Sequence, residues 1–262
     1  MKIGRFLDQD GQVCYGIVSE CGCEAEVIFG EVFGSFTRTG RCVKVKRFLP
    51  PVDPPNVIAI GLNYRDHAAE SGMAIPELPL VFFKANTSVV GHGDAIVRPK
   101  HAPDEVDYEA ELTVVIGKKA KDVEVGQVND YIFGYTCGND VSARDCQFRI
   151  DKQWARAKSF DTFCPLGPWI VTRDAIDPSD LSVKTFLNGE VVQNSRTSQL
   201  IFNVPELVSF LSKQMTLLPG TVIMTGMPSG VGFSHKPPKY LKAGDEVVVE
   251  IEGIGQLRNK VE

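Results

Sequence analysis

No apolar run in this chain approaches the length a bilayer demands, and the opening MKIGRFLDQDG lacks the apolar stretch of a signal peptide. A soluble, cytoplasmic protein without a membrane partner is expected, with an organelle matrix left open. Positive charge is outnumbered as well: 28 Lys and Arg face 33 Asp and Glu, for a net charge of −5. Phosphate binding wants a positive field, so no nucleic-acid partner is expected. The basic groups at Lys44, Lys46, Arg47 and at Lys118, Lys119, Lys121 read as solvated strand faces and turns. The glycine-rich stretch TGMPSGVG, 225–232, has neither the GK[ST] ending of a phosphate loop nor the G-x-G-x-x-G order of a dinucleotide site. Cysteine is present, but its seven positions are odd in number and scattered through a chain too large to need covalent staples. Reduced thiols are the plainer expectation. The C-x-C pair Cys21 and Cys23, with Cys14 nearby, lacks the second close pair or histidine that zinc would want.

With 262 residues, the chain can bury a full core with one large domain and a small appendage. Residues 1–49 read as short strands such as CYGIVSE, EAEVIFG and CVKVKRFL. The stretch PPVDPP then forces extended backbone and breaks any ladder, which predicts a small β domain over 1–52 and a main domain over 53–262. NVIAIGL is a buried-strand pattern, and the following NYRDHAAE has helical character. YIFGYTCG reads as a strand, and DVSARDCQFRI as a helix with Asp140 near its N-cap. Asn188-Gly189 signals a hairpin between two strand-like runs. NVPELVSFLSKQM is the best helix, with Asn203 to cap it and an apolar stripe at Leu207, Val208, Leu211 and Met215. Strands dominate without regular βα alternation, so the fold class is a β-rich α+β protein.

The chain is organised around DYEAELTVVIG, 107–117, where Glu109 and Glu111 stand two apart and so share one face of a strand. Paired carboxylates at the edge of a buried sheet repel each other, and such a pair usually shares a proton or neutralises a cation. A third carboxylate, Asp140, follows another apolar run. Three carboxylates without a Cys or His ligand suit one hard divalent ion that keeps waters, Mg²⁺ or Mn²⁺. The plain alternative is a pair of glutamates edging a strand in solvent. His67 and Glu70, at i and i+3, suit a base whose tautomer a carboxylate fixes, although exposed pairs of this kind are common. On the helix expected at 140–150, Arg144 and Gln147 share a face with Asp140, where Arg144 could take a substrate carboxylate or pair with Asp140 or Asp145. Lys158 lies among apolar neighbours, and backbone N–H groups around Thr225 and Gly226 could cradle a carboxylate.

Six blocks in order resemble the fumarylacetoacetate hydrolase family over most of 56–262: IGLNYRDHAAE, DYEAEL, NDVSARDCQ, AKSFDTFCPLGP, LNGEVVQ and TGMPSGVG. The resemblance implies a mixed β-sandwich roll, assembled as a homodimer, with one Mg²⁺ or Mn²⁺ per site and a small 2-oxo acid as substrate. It places the metal on Glu109, Glu111 and Asp140, a lid dyad on His67 and Glu70, substrate contacts on Arg144 and Gln147, and the active-site lysine on Lys158. Met227 stands where many members have Thr, which removes a side-chain hydroxyl from that loop. The expected reaction passes through a metal-stabilised enolate of a 2-oxo or 2,4-dioxo acid. Hydrolysis of a C–C bond, as in an acylpyruvate, stands first. Decarboxylation or tautomerisation of oxaloacetate, or isomerisation of 2-hydroxyhepta-2,4-diene-1,7-dioate, are the alternatives. A glycosidase using Glu109 and Asp140 lacks clustered aromatics for sugar stacking, and a non-catalytic protein with a structural cation is the remote reading.

Overall fold

A computed structural model describes residues 1–262. Its spine is the strand Ala110–Ile116, buried along its whole length. The strand pairs antiparallel with Ile132–Asn139 on one side and with Val222–Met224 on the other. A strand flanked on both edges and covered on both faces must be apolar throughout, which is why LTVVI follows the glutamates. The sheet continues from Val222–Met224 through Val57–Ile60, in parallel, to Val81–Lys84. In the other direction it runs through Cys164–Thr172 into the N-terminal meander, where Ile3 pairs with Ile170.

A second sheet of five strands holds the hairpin Ser182–Leu187 and Glu190–Arg196, then Glu246–Ile251, Gly255–Val261 and Ala95–Ile96. Asn188 and Gly189 both take positive φ at the hairpin turn, as the two-residue connection requires. Leu112, Val114 and Ile116 pack with Val183, Val249 and Ile251 of this sheet and with Leu207, Val208 and Leu211 of the helix Val204–Gln214. Val115 faces the other way, towards Val57, Phe82 and Met224. Strand alternation puts Glu111 on the side of Val115, away from the second sheet. The α+β, strand-rich reading is correct: this is a mixed β-sandwich roll with large mixed sheets.

The helix Val204–Gln214 carries the expected cap. Asn203 accepts from the Glu206 backbone, and Glu206 reaches back to the Asn203 N–H. The stretch 49–56, around the prolines, holds no strand. The strands before it are nevertheless hydrogen-bonded into the main sheet through Lys2–Leu7, and Arg5 pairs with Asp53 at 2.7 Å.

Two expectations fail. The segment 140–150 is not a regular helix throughout: Ser142–Ala143 pair as a short strand with Val106–Asp107, and the helical part covers only 144–150, ending in the π-helical turn Cys146–Ile150. The Ser142 hydroxyl donates to the Asp140 carbonyl at 2.9 Å and lies 3.2 Å from Glu109 Oε1, and such a local side-chain bond competes with a helical ladder. Nor are all seven cysteines thiols, because Cys21 and Cys23 form a disulfide. The turn over Gly22, at φ +73°, brings their Cα atoms to 5.4 Å, within bridging range.

Candidate metal and active site

Glu109, Glu111 and Asp140 converge. Each offers a carboxylate oxygen, and these oxygens lie within 4.8 Å of one another, all buried. The strand pairing produces this: Glu111 lies opposite Gly138, and the Asp140 N–H donates to the Glu109 carbonyl at 2.9 Å. Two lysines hold Asp140. Lys158 Nζ donates to Glu109 Oε2 and Asp140 Oδ2, each at 2.7 Å, and to Ser142 Oγ at 2.8 Å. Lys84 Nζ bonds Asp140 Oδ1 and reaches the Val141 carbonyl at 3.4 Å. Arg144, also buried, bonds Glu109 Oε1 at 2.7 Å, Asp107 Oδ2 at 2.8 Å and Gln147 Oε1 at 2.7 Å.

The charges are unevenly balanced. Four buried carboxylates, Asp107 included, meet three cations, so ionising all four would leave one negative charge uncompensated. Burial alone would raise the Glu109 pKa, but Lys158 and Arg144 outweigh it and hold the group at about 2. Glu111 is the opposite case. Burial, then Asp140 and Glu109, push its pKa well above the ordinary carboxylate range. Its Oε2 accepts the Gly226 N–H at 2.8 Å, while its Oε1 is buried without any partner. A buried, partnerless carboxylate oxygen amid two further carboxylates is a ligand position for a hard cation, so the residues fit Mg²⁺ or Mn²⁺. Burial by itself lowers the Lys158 pKa, yet Asp140 and Glu109 carry it upward, so Lys158 is a fixed positive charge and not a base.

His67 and Glu70 meet on the short helix Arg65–Ser71, Nδ1 to Oε2 at 3.0 Å. Gly72 ends that helix in the left-handed conformation. The other Glu70 oxygen accepts from the Gly230 N–H at 2.9 Å and from Ser234 Oγ at 2.8 Å. His67 is buried and lines a cavity of about 80 Å³ that Glu109, Arg144, Gln147 and Lys158 also face. The glycine-rich loop surrounds this site through its backbone: Gly226 binds Glu111, Gly230 binds Glu70, and Gly232 and Phe233 bind Asp107 at 2.6 and 3.0 Å. Gly226 sits at φ +100°, and a Cβ there would come within 2.8 Å of the Asn63 Cβ. The Thr225 hydroxyl donates to the Leu112 carbonyl at 2.8 Å, so it fastens the strand, and the Gly226 N–H is used on Glu111. Neither group is aimed at the cavity as a free donor.

Sequence reasoning passed over Lys84 and Asp107. Both had a signal in strand alternation. Lys84 falls two after Phe82 and faces inward with it, while Phe83 faces out. Asp107 stands two before Glu109, and these two carboxylates, in place of Asp140 or Asp145, are the partners of Arg144.

Residues 56–262 match the family described as fumarylacetoacetate (FAA) hydrolase C-terminal, and residues 1–51 match one described as Rv2993c-like, N-terminal. The chain belongs to the fumarylacetoacetate hydrolase family. It is 49% identical over 216 residues to the mitochondrial oxaloacetate tautomerase of Rattus norvegicus, covering 82% of this chain and 69% of that protein. A solved 5-carboxymethyl-2-hydroxymuconate delta-isomerase from Mycobacterium smegmatis is 44% identical with a TM-score of 0.88, covering 100% of this chain and 99% of that one. A solved fumarylacetoacetate hydrolase from Exiguobacterium antarcticum is 38% identical with a TM-score of 0.87, again over 100% and 99%. Family relatives are therefore enzymes: a tautomerase, an isomerase and a hydrolase. No helix of this chain is long and apolar enough to cross a membrane.

Proposed function

We propose that this protein moves a proton on the carbon beside the ketone of a small 2-oxo acid, an enol–keto tautomerisation or double-bond isomerisation assisted by Mg²⁺ or Mn²⁺. Glu109, Glu111 and Asp140 hold the ion, which when bound polarises the 2-oxo group and lowers the cost of an enolate. The observation that carries this reading is that Glu109, one wall of the carboxylate cage, and the carboxylate-backed imidazole of His67 line one cavity. Glu70 fixes the Nδ1 proton of His67 and leaves Nε2 without a protein partner, free to take or return a proton. Arg144 Nη2 is buried and unpartnered, and supplies a donor for the substrate's carboxylate. Lys158 stays charged beside the cage and favours anionic character at the reacting oxygen.

Hydrolysis of a C–C bond is the second reading, with His67 Nε2 acting on water. It needs further groups to place that water and to stabilise the attacked carbonyl. Of the other polar residues facing the cavity, Lys158 Nζ is engaged by three acceptors and Gln147 Oε1 by Arg144, which leaves the Gln147 amide N–H groups as the donors hydrolysis would use. The names of the rat and Mycobacterium smegmatis relatives favour proton transfer. The test follows enol oxaloacetate, oxaloacetate and a set of acylpyruvates with the purified protein, with Mg²⁺, with Mn²⁺ and with a chelator. Metal-dependent loss of the enol without release of CO₂ or of a carboxylic acid is expected. Acid and pyruvate released from an acylpyruvate would favour hydrolysis, and no reaction of any 2-oxo acid would overturn both readings.

A further inference from the structure

The N-terminal meander, none of whose residues lines the cavity, carries chemistry of its own. Cys21 and Cys23 are joined over the single residue Gly22, in the turn between the strands Val13–Val18 and Glu24–Gly30, and both are exposed. A bridge over one residue removes little freedom from the unfolded chain, so stability is a poor reason for it. Nor does the turn depend on the bridge. Ser19 N–H donates to the Glu24 carbonyl at 2.9 Å, Gly22 N–H to the Ser19 carbonyl at 3.0 Å, and Val45 N–H to the Cys23 carbonyl at 2.9 Å. Gly22 also sits on Trp169, where a Cβ would come within 3.1 Å of the ring. The backbone therefore holds the two sulfurs side by side whether they are bonded or reduced.

The two sulfurs are not equivalent. Ser19 Oγ lies 3.3 Å from Cys21 Sγ, and the Cys23 N–H donates to the same atom at 3.4 Å. Donors at a sulfur stabilise its thiolate and make it the better leaving group, so a nucleophile is directed to Cys23. Competing thiols are few: Cys14, Cys137, Cys146 and Cys164 are buried, and of the free cysteines Cys42 alone is exposed.

We propose that Cys21 and Cys23 form a thiol–disulfide exchange site for small thiols of the glutathione class. The thiolate of one small thiol attacks Cys23 Sγ and forms a mixed disulfide there. The Cys21–Cys23 bond breaks, and its electron pair leaves with Cys21 Sγ. A second small thiolate attacks the outer sulfur of the mixed disulfide, which releases the small-molecule disulfide and the Cys23 thiolate. Two electrons pass from two thiols to the pair, and the protons those thiols lost end on Cys21 and Cys23. Run in reverse, the dithiol reduces a small disulfide.

The test equilibrates the full-length Cys42→Ser protein in buffers of reduced and oxidised glutathione at graded ratios. Samples are quenched in acid, free thiols are blocked with N-ethylmaleimide, and the products are mapped by peptide mass. The peptide holding Cys21 and Cys23 should pass reversibly from disulfide to doubly blocked dithiol as the reduced share rises, while the buried cysteines stay as they were. Glutathione trapped early in the reduction should sit on Cys23. Ser19→Ala removes a donor from the leaving sulfur and should slow reduction about threefold, the effect of roughly one pKa unit on the leaving thiol at a Brønsted coefficient of ~0.5. Ser19→Thr keeps the hydroxyl and should keep the parental rate. Two free thiols at every ratio, or a disulfide that no ratio opens, would overturn the site. Glutathione trapped on Cys21, or a Ser19→Ala protein reduced at the parental rate, would overturn the assigned direction of attack.

Discussion

Each member of the candidate metal site is defined by what neutralises it. Asp140 carries a lysine on each oxygen, Glu109 has Lys158 and Arg144, and Glu111 has only a backbone N–H and a bare oxygen. Breaking a buried ion pair by removing one partner costs ~3–5 kcal/mol, because a charge is left uncompensated. Lys84→Met is therefore expected to lower the melting temperature of the metal-free protein markedly. Mn²⁺ should restore more of the loss than it adds to the parent, since the ion supplies positive charge beside Asp140. Thermal melts of both proteins with and without Mn²⁺ check this. An equal gain in the two would mean that Lys84 and the ion do not share Asp140. The carboxylate trio was legible because its members occur at strand spacing beside apolar runs. Lys84 and Asp107 carried the same spacing signal, but which side of each strand is inward depends on pairings that sequence does not display.

Among elements, those with local rules were readable. The hairpin follows from Asn188-Gly189, and the helix Val204–Gln214 from its cap, its first-turn proline and its apolar stripe. Asn203→Ala removes the cap and should cost ~1 kcal/mol of stability without changing turnover, because the helix packs on the side of the sheet away from Glu111. Denaturant melts and a steady-state assay separate the two effects, and a loss of turnover larger than the loss of folded protein would contradict the assignment. The segment 140–150 was misread because its period suits a helix, while its hydrogen bonds go to Val106–Asp107 and to Glu109. Likewise the parallel pairing of Val222–Met224 with Val57–Ala59 joins segments far apart in the chain. No local pattern announces it, and without it the glycine-rich loop and the His67 helix do not reach the carboxylates.

For the molecule as a whole, the site couples protons, metal and stability. Glu111 has a raised pKa in the fold and an ordinary one, ~4.3, when unfolded. Its proton is thus retained by the fold, and the metal-free protein loses stability as pH rises from about 4.3 through the raised value. Glu109 acts in a lower window: held at about 2, it contributes fully above the ordinary range and is lost as pH falls. The ion binds ionised carboxylates, so the gain in melting temperature on adding Mg²⁺ should grow with pH above the ordinary carboxylate range and shrink in acid. A gain independent of pH would show that Glu111 is not titrated by the metal. With all four carboxylates ionised around a divalent ion, the three cations would leave a single positive charge, which under the proposed function would attract an anionic substrate. The resemblance made the family legible from six short blocks, whereas the aromatic part of the cavity's lining needed the fold, because Phe82, Trp154 and Phe233 come from three separate parts of the chain. The most direct test is the anomalous signal of Mn²⁺ in a crystal of the protein soaked with that ion. One strong peak bounded by Glu109, Glu111 and Asp140 is predicted, absent from the Glu111→Gln variant. No peak there in the parent protein, or a peak that survives unchanged in the variant, would contradict the account.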